Sequence, residues 1–236
     1  SYAATIDNAL TAARNDMSAF AQLDRGEVQI ATFPTFAASV MPKSLQHFHE
    51  LHPDLDVTVK SYRLDRIQEA LERREVDLAT VWDYPWAPIN DQIPVTTTLL
   101  KEPTMLLLPS THALARRRVV ELKEVADNPW ITRSSHPVAS VLGRICSDAG
   151  FAPRIVFEAN DYQELLGMVA AGLGVAIAPR LAVHFHSPDV KVVSIRGNPA
   201  PRRIVLSQLP ERVPSPAVLS LVRAFRKIAS AKEWRT

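Results

Sequence analysis

From Glu27 onward the sequence alternates short apolar runs with amphipathic stretches, and this alternation restricts the possible fold more than any other feature. Val28–Thr32, Leu55–Ser61 and Leu78–Trp82 have the length and β-branched content of strands. Between them, Phe36–Leu51 and Asp65–Arg73 place apolar residues at helical spacing. Strands that alternate with helices imply βα units around a mostly parallel sheet, the α/β class. These elements make one lobe.

The same grammar then repeats. Residues 93–109 read as two extended segments broken at Lys101-Glu102-Pro103. Strands at Trp130–Thr132, Arg154–Glu158 and Val175–Ala178 alternate with helices at Val138–Ala149, ended by Gly150, and Asp161–Ala171, ended by Gly172. Strands at Val190–Ile195 and Arg202–Gln208, and a helix from Ser215 to about Ala229 with Pro216 in its first turn, are too few for a third domain. They must complete one of the two sheets, so the chain crosses between lobes more than once. Ahead of both lobes, Ile6, Leu10, Ala13, Met17 and Phe20 recur at near-helical spacing. That amphipathic helix needs a partner, either the body of the protein or another chain.

A formal net charge of +2 is too small to mark a nucleic-acid binder by charge alone. The dense run Arg116-Arg117-Arg118 follows Pro109-Ser110-Thr111-His112 and reads as a solvated loop. One cysteine, Cys146, excludes an internal disulfide and a multi-thiolate metal site, and fits a reducing, cytoplasmic compartment. Amid Val141, Leu142 and Ile145 it reads as a buried apolar thiol. The start, Ser1–Asp7, lacks the features of a secretory signal, and the longest uncharged run, Leu165–Pro179, is too short to span a bilayer.

Catalytic patterns are missing. There is no Gly-x-Ser-x-Gly elbow, no Gly-x-x-x-x-Gly-Lys phosphate loop and no dinucleotide fingerprint after a strand. Gly172-Leu173-Gly174 follows a helix and precedes a strand, which reads as a helix stop and then close backbone packing. His47, His49 and His52 form the best metal candidate, but His47 points away from the face shared by the other two, at a helix C-terminus that favours histidine by itself. Neither a metal nor any other cofactor is expected, and the chain is not read as an enzyme.

Ligands of open parallel sheets lie beyond the carboxyl ends of the strands. This rule selects Thr32, Phe33, Pro34 and Thr35; Tyr62 and Arg63; Trp82 and Asp83; Arg133, Ser134, Ser135 and His136; and Asn160. Hydroxyls, two guanidinium groups, an imidazole, an amide and aromatic walls would hold a carboxylate. Thr35 is equally suited to cap a helix beginning at Phe36. Arg63 and Arg133 are equally placed to face solvent or to pair with Asp65 and Asp161, and Trp82 to pack in the core.

Several segments together resemble the regulatory region of LysR-type transcriptional regulators. They are Gly26-Glu-Val-Gln-Ile-Ala31 with Phe33-Pro-Thr-Phe36 and Met41-Pro42; His52-Pro-Asp-Leu-Asp-Val57; Leu71-Glu-Arg-Arg-Glu-Val-Asp-Leu-Ala79; Pro129-Trp-Ile131; Gly150-Phe-Ala-Pro153; and Val169–Pro179. The resemblance implies two Rossmann-like lobes of periplasmic-binding-protein type 2, with a ligand cleft between them. Lobe I would span 26–99 plus 197–236 and lobe II 100–196, preceded by a linker and dimerisation helix over 1–24. It implies a cytoplasmic homodimer or homotetramer that senses a small effector and controls transcription through a change in oligomer geometry. DNA would be contacted only through a winged helix-turn-helix domain that this sequence lacks.

Family members often bind through a hydroxyl at the first helix, which falls on Thr35 here, or on Pro34 if the register slips by one. A second frequent hydroxyl falls near Arg63-Leu64 and is absent. The usual glycine of the L-x-x-G segment is Arg74, and Trp82-Asp83-Tyr84-Pro85-Trp86 is unusually aromatic, which suggests an aromatic or otherwise apolar carboxylate as effector. Two other readings share the architecture: an exported, monomeric solute-binding protein, and an enzyme such as a dehydratase or deaminase.

Overall fold

The structure, a computed structural model, describes Ile6, Leu10 and residues 27–89, 95–133, 137–209 and 214–234. The expected N-terminal helix lies outside these except for Ile6 and Leu10, both helical and exposed. The chain divides into two compact units, residues 1–101 with 203–234 and residues 102–202.

Unit 1 is built on a sheet of order β2-β1-β3-β11-β4, with β1 Glu27–Thr32, β2 Asp56–Ser61, β3 Leu78–Asp83, β4 Val95–Glu102 and β11 Arg202–Ser207. β1 pairs in parallel with β2 along its length, from Glu27 opposite Asp56 to Thr32 opposite Ser61, and in parallel with β3. Helices occupy the connections: α1 Pro34–Ala37 and α2 Val40–Leu51 before β2, and α3 Leu64–Glu72 before β3. α2 packs on the late helix α6, Pro216–Ala229, and Phe36 of α1 meets Phe225 of α6 edge to face at 5.7 Å.

Unit 2 carries a six-stranded sheet of order β6-β10-β5-β9-β7-β8. Its strands are β5 Thr104–Pro109, β6 Val119–Val120, β7 Pro129–Arg133, β8 Arg154–Ala159, β9 Val175–Pro179 and β10 Val190–Ile195, with helices α4 Pro137–Asp148 and α5 Tyr162–Ala170. One face of the sheet is covered by Leu165 and Val169 of α5, packed with Leu107, Ile131 and Ala176. Burying such aliphatic side chains contributes about 1.5–3 kcal/mol each.

Three features depart from the sequence reading. First, both sheets are mixed, not mostly parallel: β11 runs against β3, and β5 runs against both β9 and β10. A βαβ crossover makes neighbours parallel, but β11 enters its sheet from the other unit and β5 follows β4 after a single residue, so neither has a crossover helix to set its direction. Second, the helix expected over Phe36–Leu51 is two helices. Ser39 leaves the helical region with φ −124° and ψ −82°, and its hydroxyl donates to the Thr35 carbonyl at 2.6 Å. Third, the late strands complete both sheets and not one of them, β10 in unit 2 and β11 in unit 1.

Candidate functional site

In unit 1 the carboxyl ends of β1, β2 and β3 bring together the first three sets of candidate residues. Thr32 closes β1 with no exposed surface; its hydroxyl lies 2.6 Å from that of Thr80 on β3, and its carbonyl accepts from the Tyr62 N–H at 2.7 Å. Thr32 is thereby part of the sheet's own bonding. Phe33 is buried, extended in backbone and tilted against Phe36 at 5.8 Å.

Thr35 is not the helix cap. The helix begins at Pro34, two residues earlier than expected, with Phe33 at the cap position, because a proline with φ near −65° needs no N–H partner in a first turn. Thr35 lies inside α1, 9% exposed. Tyr62 is half-buried under the Arg66 guanidinium, 5.2 Å from its ring, and Arg66 is itself anchored by Glu75 at 2.7 Å and Glu69 at 3.3 Å. Arg63 is exposed at the N-cap position of α3.

Trp82 is buried, edge-on to Tyr84 at 5.8 Å, and Tyr84 stacks on Trp86 at 5.3 Å and 13°. Beside them Asp83, only 4% exposed, forms a two-pronged ion pair with Arg203 of β11 and accepts from the Ile89 N–H at 3.3 Å. Its hydrogen bonds hold the Arg203 guanidinium above its ordinary pKa, so that charge is permanent. Register explains the pair, since Arg203 stands opposite Asp83 in the antiparallel ladder.

Unit 2 gathers a second set. Arg133 closes β7; its guanidinium lies 4.5 Å over the Tyr162 ring and donates to the Asn160 carbonyl at 2.9 Å. Asp161, the partner the sequence suggested for it, instead caps α5 by accepting from the Glu164 N–H at 2.9 Å. Asn160 contributes its backbone to Arg133, while its own N–H donates to the Glu164 carboxylate at 2.8 Å. Burial pushes the Tyr162 hydroxyl above its ordinary pKa, opposed by the nearby Arg202 and Arg133 charges. The Thr132 hydroxyl, buried at the end of β7, meets no hydrogen-bond partner among the described residues. Ser134, Ser135 and His136 lie outside the described residues.

Sequence reasoning placed Asp83 at a strand end but missed Arg203, Tyr162 and Arg66. Arg203 was legible in principle, since adjacent arginines on a strand point to opposite faces and each needs its own carboxylate. His47 of α2 and His52, its C-cap, have partners other than a metal: His47 meets Lys227 at 3.1 Å and Glu50 at 3.6 Å, and His52 meets Ser220 at 2.5 Å. Among the described residues no group of three or more His, Cys, Asp or Glu could hold a metal ion.

Aromatic faces, hydroxyls and guanidinium groups at strand ends suit recognition of a small anion with an apolar body. The fold is that of the periplasmic-binding-protein-like effector domains of LysR-family regulators. The C-terminal domain of a probable LysR family transcriptional regulator from Rhodococcus sp. RHA1 matches at 23% identity with a TM-score of 0.71, over 88% of this chain and 100% of that one. The BenM effector binding domain, solved with its effector benzoate, matches at 19% identity with a TM-score of 0.74, over 89% of this chain and 95% of that one.

The family model of the LysR substrate binding domain matches residues 21–230, and the chain belongs to that family. Among curated relatives, the transcriptional dual regulator GltC of Bacillus subtilis is 29% identical over 182 residues, 74% of this chain and 58% of GltC. The chain spans about half the length of the curated relatives it matches.

Proposed function

We propose that this chain is the effector-sensing part of a LysR-type transcriptional regulator. Membership of the substrate-binding-domain family over residues 21–230 carries the reading. Strand-end residues bind a small carboxylate with an aromatic or otherwise apolar body, Thr35 and Arg63 in unit 1 being the contacts to its charge. Lobe I spans 26–99 plus 197–236 and lobe II 100–196. Binding biases a cytoplasmic homodimer or homotetramer between two arrangements, which is linkage between the effector site and a distant DNA site. DNA contact falls to a helix-turn-helix segment, and curated relatives such as XapR of Escherichia coli are named as HTH-type regulators. Among the described residues no helix is long and apolar enough to cross a membrane.

The reading is tested by a thermal-shift screen of small carboxylic acids, followed by calorimetric titration of the hits. Thr35→Val and Arg63→Ala should each weaken carboxylate binding about tenfold, the scale of one lost charge-assisted or buried hydrogen bond. Unchanged affinity in both variants overturns the site assignment. A library in which no acid shifts the melting temperature overturns the sensing role.

A further inference from the structure

Unit 2 carries a cavity of about 380 Å³ where the carboxyl end of β10, the short helical turn Leu122–Val125 and the last turn of α4 meet. Its floor is apolar: Leu122, Ile145 and Ile195 are buried, and Ala149 and Pro199 continue that surface outward. The volume falls in the range of small-ligand sites, whose linings are mostly apolar with a few placed polar groups. Each wall is fixed by its own hydrogen bonds, so the cavity is preformed. The Arg196 N–H donates to the Val120 carbonyl at 3.0 Å, the Ala149 N–H to the Ile145 carbonyl at 3.1 Å, and Glu121 and Glu124 close a reciprocal capping box on the helical turn.

Four charged residues border the floor, and they divide into one matched pair and two unmatched charges. Glu121 and Arg196 pair at 3.1 Å. Lys123 and Asp148 line the same cavity, yet neither side chain makes an ion pair or a hydrogen bond with any described residue, so they stand too far apart to neutralise each other. The fold gives neither charge a reason to be there. Asp148 is the last residue of α4, where the helix dipole disfavours a negative charge, and the carboxylate beside Lys123, that of Glu124, is taken by Arg117 at 3.0 Å. Opposite charges held on two walls above an apolar floor complement a molecule that carries both charges and an apolar body.

We propose that this cavity is a second ligand site, which includes none of the strand-end candidates, and that it takes an α-amino acid with an aliphatic side chain. Lys123 holds the carboxylate, Asp148 holds the ammonium group, and Leu122, Ile145 and Ile195 receive the side chain. The proposal does not rest on the sensing role above, and the two can fail separately.

The test titrates L-leucine into the isotopically labelled 236-residue chain and follows the backbone amide signals. Leucine should give saturable shifts centred on residues 121–123, 145–149 and 195–198, with a Kd on the order of 1 mM. Three analogues dissect the contacts: 4-methylpentanoate lacks the ammonium group, 3-methylbutylamine lacks the carboxylate, and glycine lacks the apolar body. Each should bind about threefold or more weakly than leucine, the scale of one exposed ion pair or a small apolar contact. Lys123→Ala should weaken leucine about threefold and leave the amine unchanged, whereas Asp148→Asn should weaken leucine and leave the acid unchanged. Asp148→Asn removes a charge from an unfavourable helix position, so its melting temperature should stay level or rise, which separates lost binding from lost folding. Thr35→Val and Arg63→Ala, the variants that test the sensing role, should bind leucine as the native chain does. The proposal is overturned by any of four results: no saturation by leucine up to about 20 mM, shifts centred on Thr35 and Arg63, an analogue that binds as tightly as leucine, or unchanged leucine affinity in both Lys123→Ala and Asp148→Asn.

Discussion

Glu102 and Arg202, one hundred residues apart in sequence, form a fully buried ion pair in unit 2: the guanidinium reaches one carboxylate oxygen at 2.5 and 2.6 Å. The other oxygen accepts from the Leu181 N–H at 2.6 Å. These two residues sit where the chain enters and leaves unit 2, and the next residue, Arg203, pairs with Asp83 in unit 1. Burial pushes the Glu102 carboxyl upward, while Arg202, the Leu181 N–H and Arg180 pull it back down. The pair ties together the two strand ends through which the units are joined.

Removing one partner leaves the other charge buried and unmatched, which costs about 3–5 kcal/mol. Glu102→Gln and Arg202→Met should each lower stability by that amount in urea denaturation. The double substitution should cost clearly less than the two losses added together, because neither charge then remains. Additive losses would show that the two side chains do not act as a pair.

Much of this architecture was legible in the residues. The runs Val28–Thr32, Leu78–Trp82 and Val190–Ile195 are strands within one residue of their expected limits, because apolar runs of that length bounded by polar or turn residues have few other uses. The break between α1 and α2 was legible but overlooked. Pro42 would sit in the middle of a helix over 36–51, where it removes a hydrogen bond, whereas in a helix starting at Val40 it falls in the tolerated first turn. Strand direction was not legible, since Arg202–Ser207 reads the same whichever way it runs, and only its entry from unit 2 sets it against β3.

The candidate site was legible by position and not by partner. The strand-end rule located Arg133 and Asn160, but their bond runs through the Asn160 carbonyl, and the Tyr162 ring beneath Arg133 belongs to a helix whose pattern shows only its apolar face. Periodicity reports burial, and it carries no information on which long side chain folds over which ring.

The Gly172-Leu173-Gly174 segment does what its sequence suggested. Gly172 has φ +80° and ends α5, with its N–H donating to the Val169 carbonyl at 2.9 Å. Gly174 is constrained by space instead: a Cβ there would lie 2.5 Å from the Pro129 carbonyl oxygen on the neighbouring strand β7. Gly174→Ala should therefore cost about 2–4 kcal/mol through backbone displacement at the β7–β9 pairing. Leu173→Ala, one position away at a partly exposed side chain, should cost under about 1 kcal/mol. Equal losses at the two positions would count against the steric account.

Arg74 occupies the turn where the family's pattern has glycine, and its φ of +57° is left-handed. A non-glycine residue pays about 1–2 kcal/mol there, and glycine pays part of that back in the freedom of the unfolded chain. Arg74→Gly should therefore stabilise unit 1 by about 0.5–1 kcal/mol. Arg74→Val, with a β-branched side chain in the same conformation, should destabilise it. A glycine variant less stable than the native chain would show that contacts of the Arg74 side chain outweigh the strain.

Cys146 lies on α4 with no exposed surface, and burial pushes its thiol up to about 12. The thiolate is the species that alkylates, so at pH 8 the native protein should hold a negligible reactive fraction. Iodoacetamide should leave native Cys146 unmodified for hours and label it within minutes in concentrated urea, where the thiol returns to about 8.5. The labelling rate in the native state then measures how often this helix opens, and it should rise in Gly174→Ala, whose strained strand β9 packs against α4. Rapid native labelling in the unsubstituted chain would mean that α4 opens far more readily than its buried apolar face allows.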